Sequence, residues 1–329
     1  MTNALPSPDQ ADGRPVVVTG VAGFIGSHTA ALLLDLGFTV IGIDAITPYY
    51  SRSTKDRNLG FLVGSPGFSF IEARLSPDVC ERAFRDCSAV IHLAAQPGVR
   101  DSWEDFATYV DLNIHATKCV LDAALVTGVP QVVCASSSSV YGDAIKYPTR
   151  EDSQLVPRSP YGVTKLTSER LTVTYGIERG LRTASMRYFT VYGPRQRPDM
   201  AFQRMIVAAY TGASFPLYGD GTQIRDFTYV GDVARANAMT AFADVAAGSV
   251  FNVCSESPTT LNDIIADVES VTDRQLRIDR YGTALGDVVR TGGSASRIAD
   301  EVGWAASTSL HDGIRAQAAD VRQHLAQVV

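Results

Sequence analysis

Residues 16–28 read VVVTGVAGFIGSH: a β-branched run, glycines at 20, 23 and 26, then the opening of a helix-length segment. β-Branched side chains favour a pleated strand, and glycines allow a turn tight enough to bring a second backbone close. A strand feeding a helix through such a turn aims free N–H groups at an anion, the arrangement that holds a dinucleotide pyrophosphate. A second strand-like run, TVIGI, follows and leads to Asp44, 18 residues beyond Gly26. An acid there can accept hydrogen bonds from an adenosine ribose and repels a 2′-phosphate, so NAD is favoured over NADP. Gly20, Gly23, Gly26 and Asp44 are therefore predicted to bind the cofactor.

The same alternation continues. Val16–Thr19, Thr39–Ile43, Phe68–Glu72, Ala89–Leu93, Gln131–Ala135 and Arg182–Arg187 read as buried strands. Amphipathic stretches at Ser27–Leu36, Pro77–Arg85, Tyr109–Thr127 and Tyr161–Arg179 separate them. This predicts an α/β fold, a Rossmann-type doubly wound parallel sheet over residues 15–190. Beyond residue 190 glycines and prolines thicken, and helices are expected at Val230–Phe242 and Leu261–Val271. Residues 191–329 are predicted to form mainly a smaller, interleaved C-terminal substrate lobe, with some segments returning to the sheet domain. Residues 1–14, polar and proline-containing, are predicted to be a disordered tail.

A net charge of −6 without a basic block argues against a nucleic-acid surface. The most apolar stretch is broken by Asp35 and Gly37, so no membrane span is expected. Five cysteines without CxxC spacing suggest reduced thiols and a cytoplasmic protein, and five scattered histidines suggest no metal site.

SPYGVTK, residues 159–165, places Tyr161 and Lys165 four apart, on one face of a helix. A phenol with a pKa near ~10 is a poor base at neutral pH. A neighbouring ammonium and a positive nicotinamide would favour the phenolate, and lowering the pKa by about 3 units takes roughly 4 kcal/mol. The pair is predicted to be catalytic.

TGVAGFIGS, HLAA (92–95), NIHAT around Asn113, SSSSVYG (136–142), SPYGVTK, RYFTVYGPRQRPDM and LYGDGTQIRDFTYVGDV occur in that order. Together they resemble the extended short-chain dehydrogenase/reductases, and within these the nucleotide-sugar epimerases and dehydratases. The resemblance implies a tightly held NAD, a UDP-sugar substrate and a homodimer. It implies that Phe24, Ile25, Ala94 and Asn113 face the cofactor, with Tyr161 and Lys165 also touching it. It implies that Ser137 hydrogen-bonds the substrate oxygen beside Tyr161 and that Arg225 grips the diphosphate. Arg225 could instead pair with Asp226.

The serine run separates neighbouring chemistries. Related 4,6-dehydratases carry an Asp-Glu pair just before Val-Tyr-Gly, and UDP-glucuronate decarboxylases resemble this run with one Glu. Here those positions are Ser138 and Ser139, neutral donors that do not repel an anion. A solvated turn stays open for Ser136 alone, which is given no role. Thr190, the pair Arg195 and Arg197, and the stretch ITPYYSRSTKDRNL look more like the UDP-glucuronate 4-epimerases than the UDP-galactose ones. Arg197 is expected to contact the sugar carboxylate, helped by Ser138, Ser139 and Thr190, since a guanidinium matches a carboxylate at two points. Arg195 and Arg197 could instead grip phosphate or solvent.

The implied reaction is C4 epimerisation of UDP-glucuronate to UDP-galacturonate through a transient 4-keto sugar. A 4-epimerase of a neutral UDP-sugar, a UDP-glucuronate decarboxylase and a non-catalytic NAD-binding regulator are the alternatives. Two departures from the family pattern stand out. Leu75-Ser76 replaces an Asp followed by Ile or Leu that contacts adenine, and Ala284 replaces a diphosphate arginine.

Overall fold

A computed structural model describes residues 4–282 and 290–325. Ala284 therefore lies outside the described residues. The elements in chain order are β1 (Val16–Thr19), α1 (Phe24–Asp35), β2 (Val40–Asp44), α2 (Arg52–Gly60), β3 (Phe68–Glu72), α3 (Pro77–Phe84), β4 (Ala89–His92), α4 (Phe106–Tyr109), α5 (Ala116–Thr127), β5 (Val132–Ser137), α6 (Pro160–Arg179) and β6 (Thr183–Tyr188). There follow β7 (Thr190–Tyr192), α7 (Ala201–Thr211), β8 (Ser214–Tyr218), β9 (Ile224–Tyr229), α8 (Val230–Phe242), β10 (Ser249–Val253), β11 (Pro258–Thr260), α9 (Leu261–Thr272), β12 (Arg277–Tyr281), α10 (Ser296–Val302) and α11 (Leu310–Gln323).

Seven strands form one parallel sheet in the order β10-β6-β5-β4-β1-β2-β3. β1 and β4 are buried along their whole length, which is why both read as unbroken apolar or β-branched runs. Apolar clusters cover both faces. One includes Leu33, Val233 and Trp304; the other, under α3 and α5, includes Phe84 and Leu121. A third cluster, around Phe202, Ile264 and Ile314, is the core of a smaller lobe with two short sheets, β11-β9-β7 and β12-β8. β10, from well beyond residue 190, completes the large sheet by pairing with β6. No helix among the described residues is long and apolar enough to cross a membrane.

The segment expected as a disordered tail is folded from residue 4 onward where described. Ser7 caps a short 3-10 turn at Pro8–Ala11 in a capping box with Gln10. Ala11, 2% exposed, packs into the main core. The polar composition concealed one apolar anchor. The helix expected at Tyr109–Thr127 is instead α4, a π-helical turn at Val110–His115, and α5. The wide turn carries Asn113 inward, and such turns cluster where side chains must be re-aimed.

Arg187 on β6 and Glu169 on α6 form an ion pair of 2.7 Å, with side chains 3% and 0% exposed. Ser136, for which a solvated turn was left open, is buried and donates to the same carboxylate at 2.7 Å. Arg187 also donates to the Tyr141 hydroxyl. Removing one member of a buried pair leaves an uncompensated charge, at a cost of about 3–5 kcal/mol. Glu169→Ala is expected to lower unfolding free energy by that amount, read as a fall in the urea midpoint at unchanged slope.

Candidate active site

The glycine turn is built by close approach. Gly20 has φ +72°, and a Cβ there would lie 2.7 Å from the Ala94 nitrogen; at Gly26 it would lie 2.1 Å from the Gly20 carbonyl oxygen. Behind this turn, His92 and Thr19 fix the HLAA segment. Thr19 Oγ1 meets His92 Nδ1 at 2.8 Å and accepts the Leu93 and Ala94 N–H groups at 3.2 Å. Burial, then the nearby Lys165 charge, lowers the His92 pKa to about 3, so the imidazole is neutral.

In front of the turn lies a cavity of about 480 Å³. Gly20, Gly23, Phe24, Ile25, Gly26, Asp44 and Ala94 line one end, and Tyr161, Lys165, Tyr188 and Arg197 line the other. α1 opens at Gly23 with no side-chain cap, so its first turn presents backbone N–H groups and a positive dipole end to this space. Asp44 accepts from Ala22 N at 3.1 Å and Ile46 N at 2.8 Å. Burial raises its pKa, while Lys55 and these N–H groups oppose the rise. A crevice at the carboxyl ends of parallel strands, with an uncapped helix start and an acid on the next strand, fits NAD.

Tyr161 and Lys165 both face the cavity from α6, but their electrostatics differ from expectation. Burial raises the Tyr161 pKa; a hydrogen bond with the Ser137 side chain and the Arg197 charge oppose it. Lys165, 5% exposed, donates to the Ala135 carbonyl, and burial lowers its pKa to about 8. Its ammonium is held on the Ala135 carbonyl of β5, and Cys134 and Glu169 oppose the lowering.

The other expected positions divide. Ser137 Oγ donates to Ser139 Oγ and accepts the Ser139 N–H, both at 3.1 Å, so these two hydroxyls brace each other beside Tyr161. Ser138, Ser139 and Thr190 are half-buried near the cavity without lining it. Asn113, expected to face the cofactor, is 1% exposed and stands behind the wall. Its amide accepts from Gln96 N at 2.7 Å and donates to Gln96 O and Thr164 Oγ1, so it fixes the loop after β4. Arg225 sits on β9 of a small sheet and does not line the cavity; its guanidinium N–H meets the Ile224 carbonyl at 2.9 Å. Its neighbour Asp226 is buried and accepts from Ser255 and Gly293.

The two arginines expected together at the ligand end separate. Arg195 turns away, with its guanidinium against the His28 ring at 2.7 and 3.1 Å and over the Phe61 ring. Arg197 lines the cavity, held by Asp199 through two bonds of 3.0 and 2.8 Å. A positive φ of 62° at Arg195 rotates the chain between them. The sequence reading assigned no roles to Tyr49, Tyr50, Lys55, Cys119 or Tyr188, all of which line the cavity. The double tyrosine with its basic stretch was the available signal for the first three.

Residues 16–254 match the NAD dependent epimerase/dehydratase family. The chain belongs to that family. It is 35% identical to a UDP-glucuronate 4-epimerase of Thermodesulfobacterium geofontis (strain OPF15), over 91% of this chain and 93% of the relative. It is 36% identical to an uncharacterized UDP-glucose epimerase, YtcB, of Bacillus subtilis (strain 168), over 91% and 95%. The solved UDP-glucuronic acid 4-epimerase of Bacillus cereus, in complex with UDP-glucuronic acid and NAD, superposes with a TM-score of 0.90 at 35% identity. That match covers 94% of this chain and 99% of the solved one.

A lysine whose pKa falls from 10.5 to about 8 on folding destabilises the fold at neutral pH, by about 3 kcal/mol if wholly desolvated. Between those two values the unfolded chain binds more protons, so this penalty is relieved as pH rises through the window. Lys165→Met is expected to unfold at higher urea than the natural chain at pH 7. The difference should shrink towards pH 10, measured by equilibrium denaturation at each pH.

Proposed function

We propose that the protein catalyses NAD-dependent C4 epimerisation of a UDP-hexuronic acid, interconverting UDP-glucuronate and UDP-galacturonate. The observation that carries this reading is Arg197, a guanidinium on the wall of the Tyr161 cavity and near enough for its charge to act on the phenol. The relatives that act on UDP-glucuronate support it.

NAD, when bound, would supply the hydride chemistry at C4. The N-terminus of α1, with Gly20, Gly23 and Gly26, holds the pyrophosphate, and Asp44 the adenosine ribose. Tyr161 takes the proton of the C4 hydroxyl as the 4-keto sugar forms and, once the sugar has turned to present its other face for reduction, returns the proton to the C4 oxygen. Ser137 holds the phenol and the C4 oxygen in line. Lys165, anchored on Ala135, orients the nicotinamide ribose and carries positive charge at the end of β5. Arg197 holds the C6 carboxylate, shared with Ser138, Ser139 and Thr190, and Arg225 grips the diphosphate. A 4-keto glucuronate is a β-keto acid, and fixing its carboxylate out of alignment for C–C cleavage preserves the carbon skeleton.

A neutral UDP-sugar is the second reading, favoured by the bidentate Arg197–Asp199 pair, which an uncharged sugar would leave intact. Incubation with UDP-glucuronate, with C4 configuration read by NMR, decides between them. UDP-galacturonate without CO₂ or a UDP-pentose is the expected result, and turnover of UDP-glucose alone would select the neutral sugar. Tyr161→Phe is expected to lower kcat by roughly 10²- to 10⁴-fold, the range for loss of a positioned acid–base group.

We infer that two copies pair through the outer faces of α4, α5 and α6, where Phe106, Val126, Val163 and Ile177 are exposed. Sedimentation velocity is expected to give a dimer, and Val163→Asp to shift it towards monomer. Five free thiols support a reducing, cytoplasmic setting.

A further inference from the structure

Two of the five thiols touch. Cys80 on α3 and Cys119 on α5 have their sulfurs 3.8 Å apart and share a hydrogen bond. Cys80 is fully buried, whereas Cys119 is partly open and lines the cavity beside Leu75, Ser76, Pro77, His115 and Ala116. Cys87, Cys134 and Cys254 are buried and stand off the cavity wall. The helix that carries Cys80 starts at Pro77, capped by the Ser76 hydroxyl on the Val79 N–H. That cap belongs to the Leu75-Ser76 turn, which departs from the family pattern and forms part of the same wall.

We propose that Cys80 and Cys119 are a redox modification site in which a small peroxide, entering through the cofactor cavity, closes a disulfide and lowers affinity for NAD. The NAD half of this inference rests on the cofactor reading of the cavity. The contact with Cys80 favours the thiolate at Cys119, while Cys80 holds its proton above the ordinary range. The thiolate is the reactive form of cysteine. Cys119 Sγ attacks a peroxide oxygen; the S–O bond forms as the O–O bond breaks, giving a sulfenic acid and, after protonation, one water. Cys80 Sγ then attacks the sulfenic sulfur, its proton leaving with the displaced hydroxide as a second water. Two thiols are oxidised by two electrons and one hydrogen peroxide is reduced to two waters.

A disulfide needs about 2.05 Å between sulfurs, so closing the pair draws Cys119 towards α3 and reshapes the wall against the adenine end of the cofactor. Any ligand that prefers the reduced form must, by linkage, oppose oxidation to the same degree.

The test treats the full-length protein with hydrogen peroxide, with and without added NAD. Free thiols are alkylated after unfolding, and cross-linked peptides are identified by mass spectrometry. A Cys80–Cys119 peptide is expected, with Cys87, Cys134 and Cys254 still alkylated. NAD at tenfold its dissociation constant should slow the cross-link about elevenfold by mass action. Cys80→Ala, which removes both the resolving thiol and the contact that favours the Cys119 thiolate, is expected to give no cross-link and slower oxidation of Cys119 under the same treatment. Sulfinic acid at Cys119 in the natural chain, without cross-link, would overturn the pairing. A cross-link rate indifferent to NAD, with NAD binding shown by calorimetry, would overturn the coupling. Absence of binding by calorimetry would instead overturn the cofactor reading, and with it the NAD half of the inference.

Discussion

The buried pair of Glu169 and Arg187 holds the site in register. It ties α6 to the sheet from within, and both Tyr161 and Lys165 stand on the N-terminal turns of that helix. Ser136 donates to Glu169 from β5, so the strand that leads into the serine run is fixed to the same carboxylate. Arg187 reaches further, to the Tyr141 hydroxyl and the Glu151 carbonyl, and Tyr141 donates to Asn252 on β10. One desolvated ion pair thus orders the helix that carries Tyr161 and Lys165, the serine turn and the strand that closes the sheet. In a low dielectric such a network holds only if each member is satisfied, which makes it a device of positioning more than of stability.

What could be read from the sequence was whatever the backbone itself demands. Gly20 and Gly26 are legible because no side chain fits where they stand, and β1 because a strand buried on both faces must be apolar. The Tyr161–Lys165 spacing gave one helical face, and both side chains do meet the cavity. Direction beyond the Cβ was not legible. Arg195 and Arg197 differ by two positions, yet one is spent on His28 and the other reaches the cavity, with Arg195 itself in a left-handed conformation. Asn113 carried a recognisable motif, but a π-helical turn set its amide to work behind the wall. The folded segment from residue 4 escaped notice because one buried alanine outweighs a polar composition only when its pocket is known.

The cavity's electrostatics show how much of an active site is borrowed from its surroundings. Burial works against both ionised partners, raising the phenol of Tyr161 and lowering the ammonium of Lys165 to about 8. Neither shift comes from their being neighbours on a helix. What favours the phenolate is a hydroxyl on β5 and a guanidinium on the loop after β7, so the ionisation of Tyr161 depends on three separate segments.

The chain crosses between the large sheet and the smaller lobe repeatedly. After β6 it leaves the large sheet for β7, returns with α8 and β10, leaves again for α9, and comes back with α10. A protein stitched in this way has no seam at which one half could be exchanged for that of a relative. Evolution of a new sugar preference on such a scaffold is therefore confined to substitutions along the walls, one residue at a time, rather than recombination of modules.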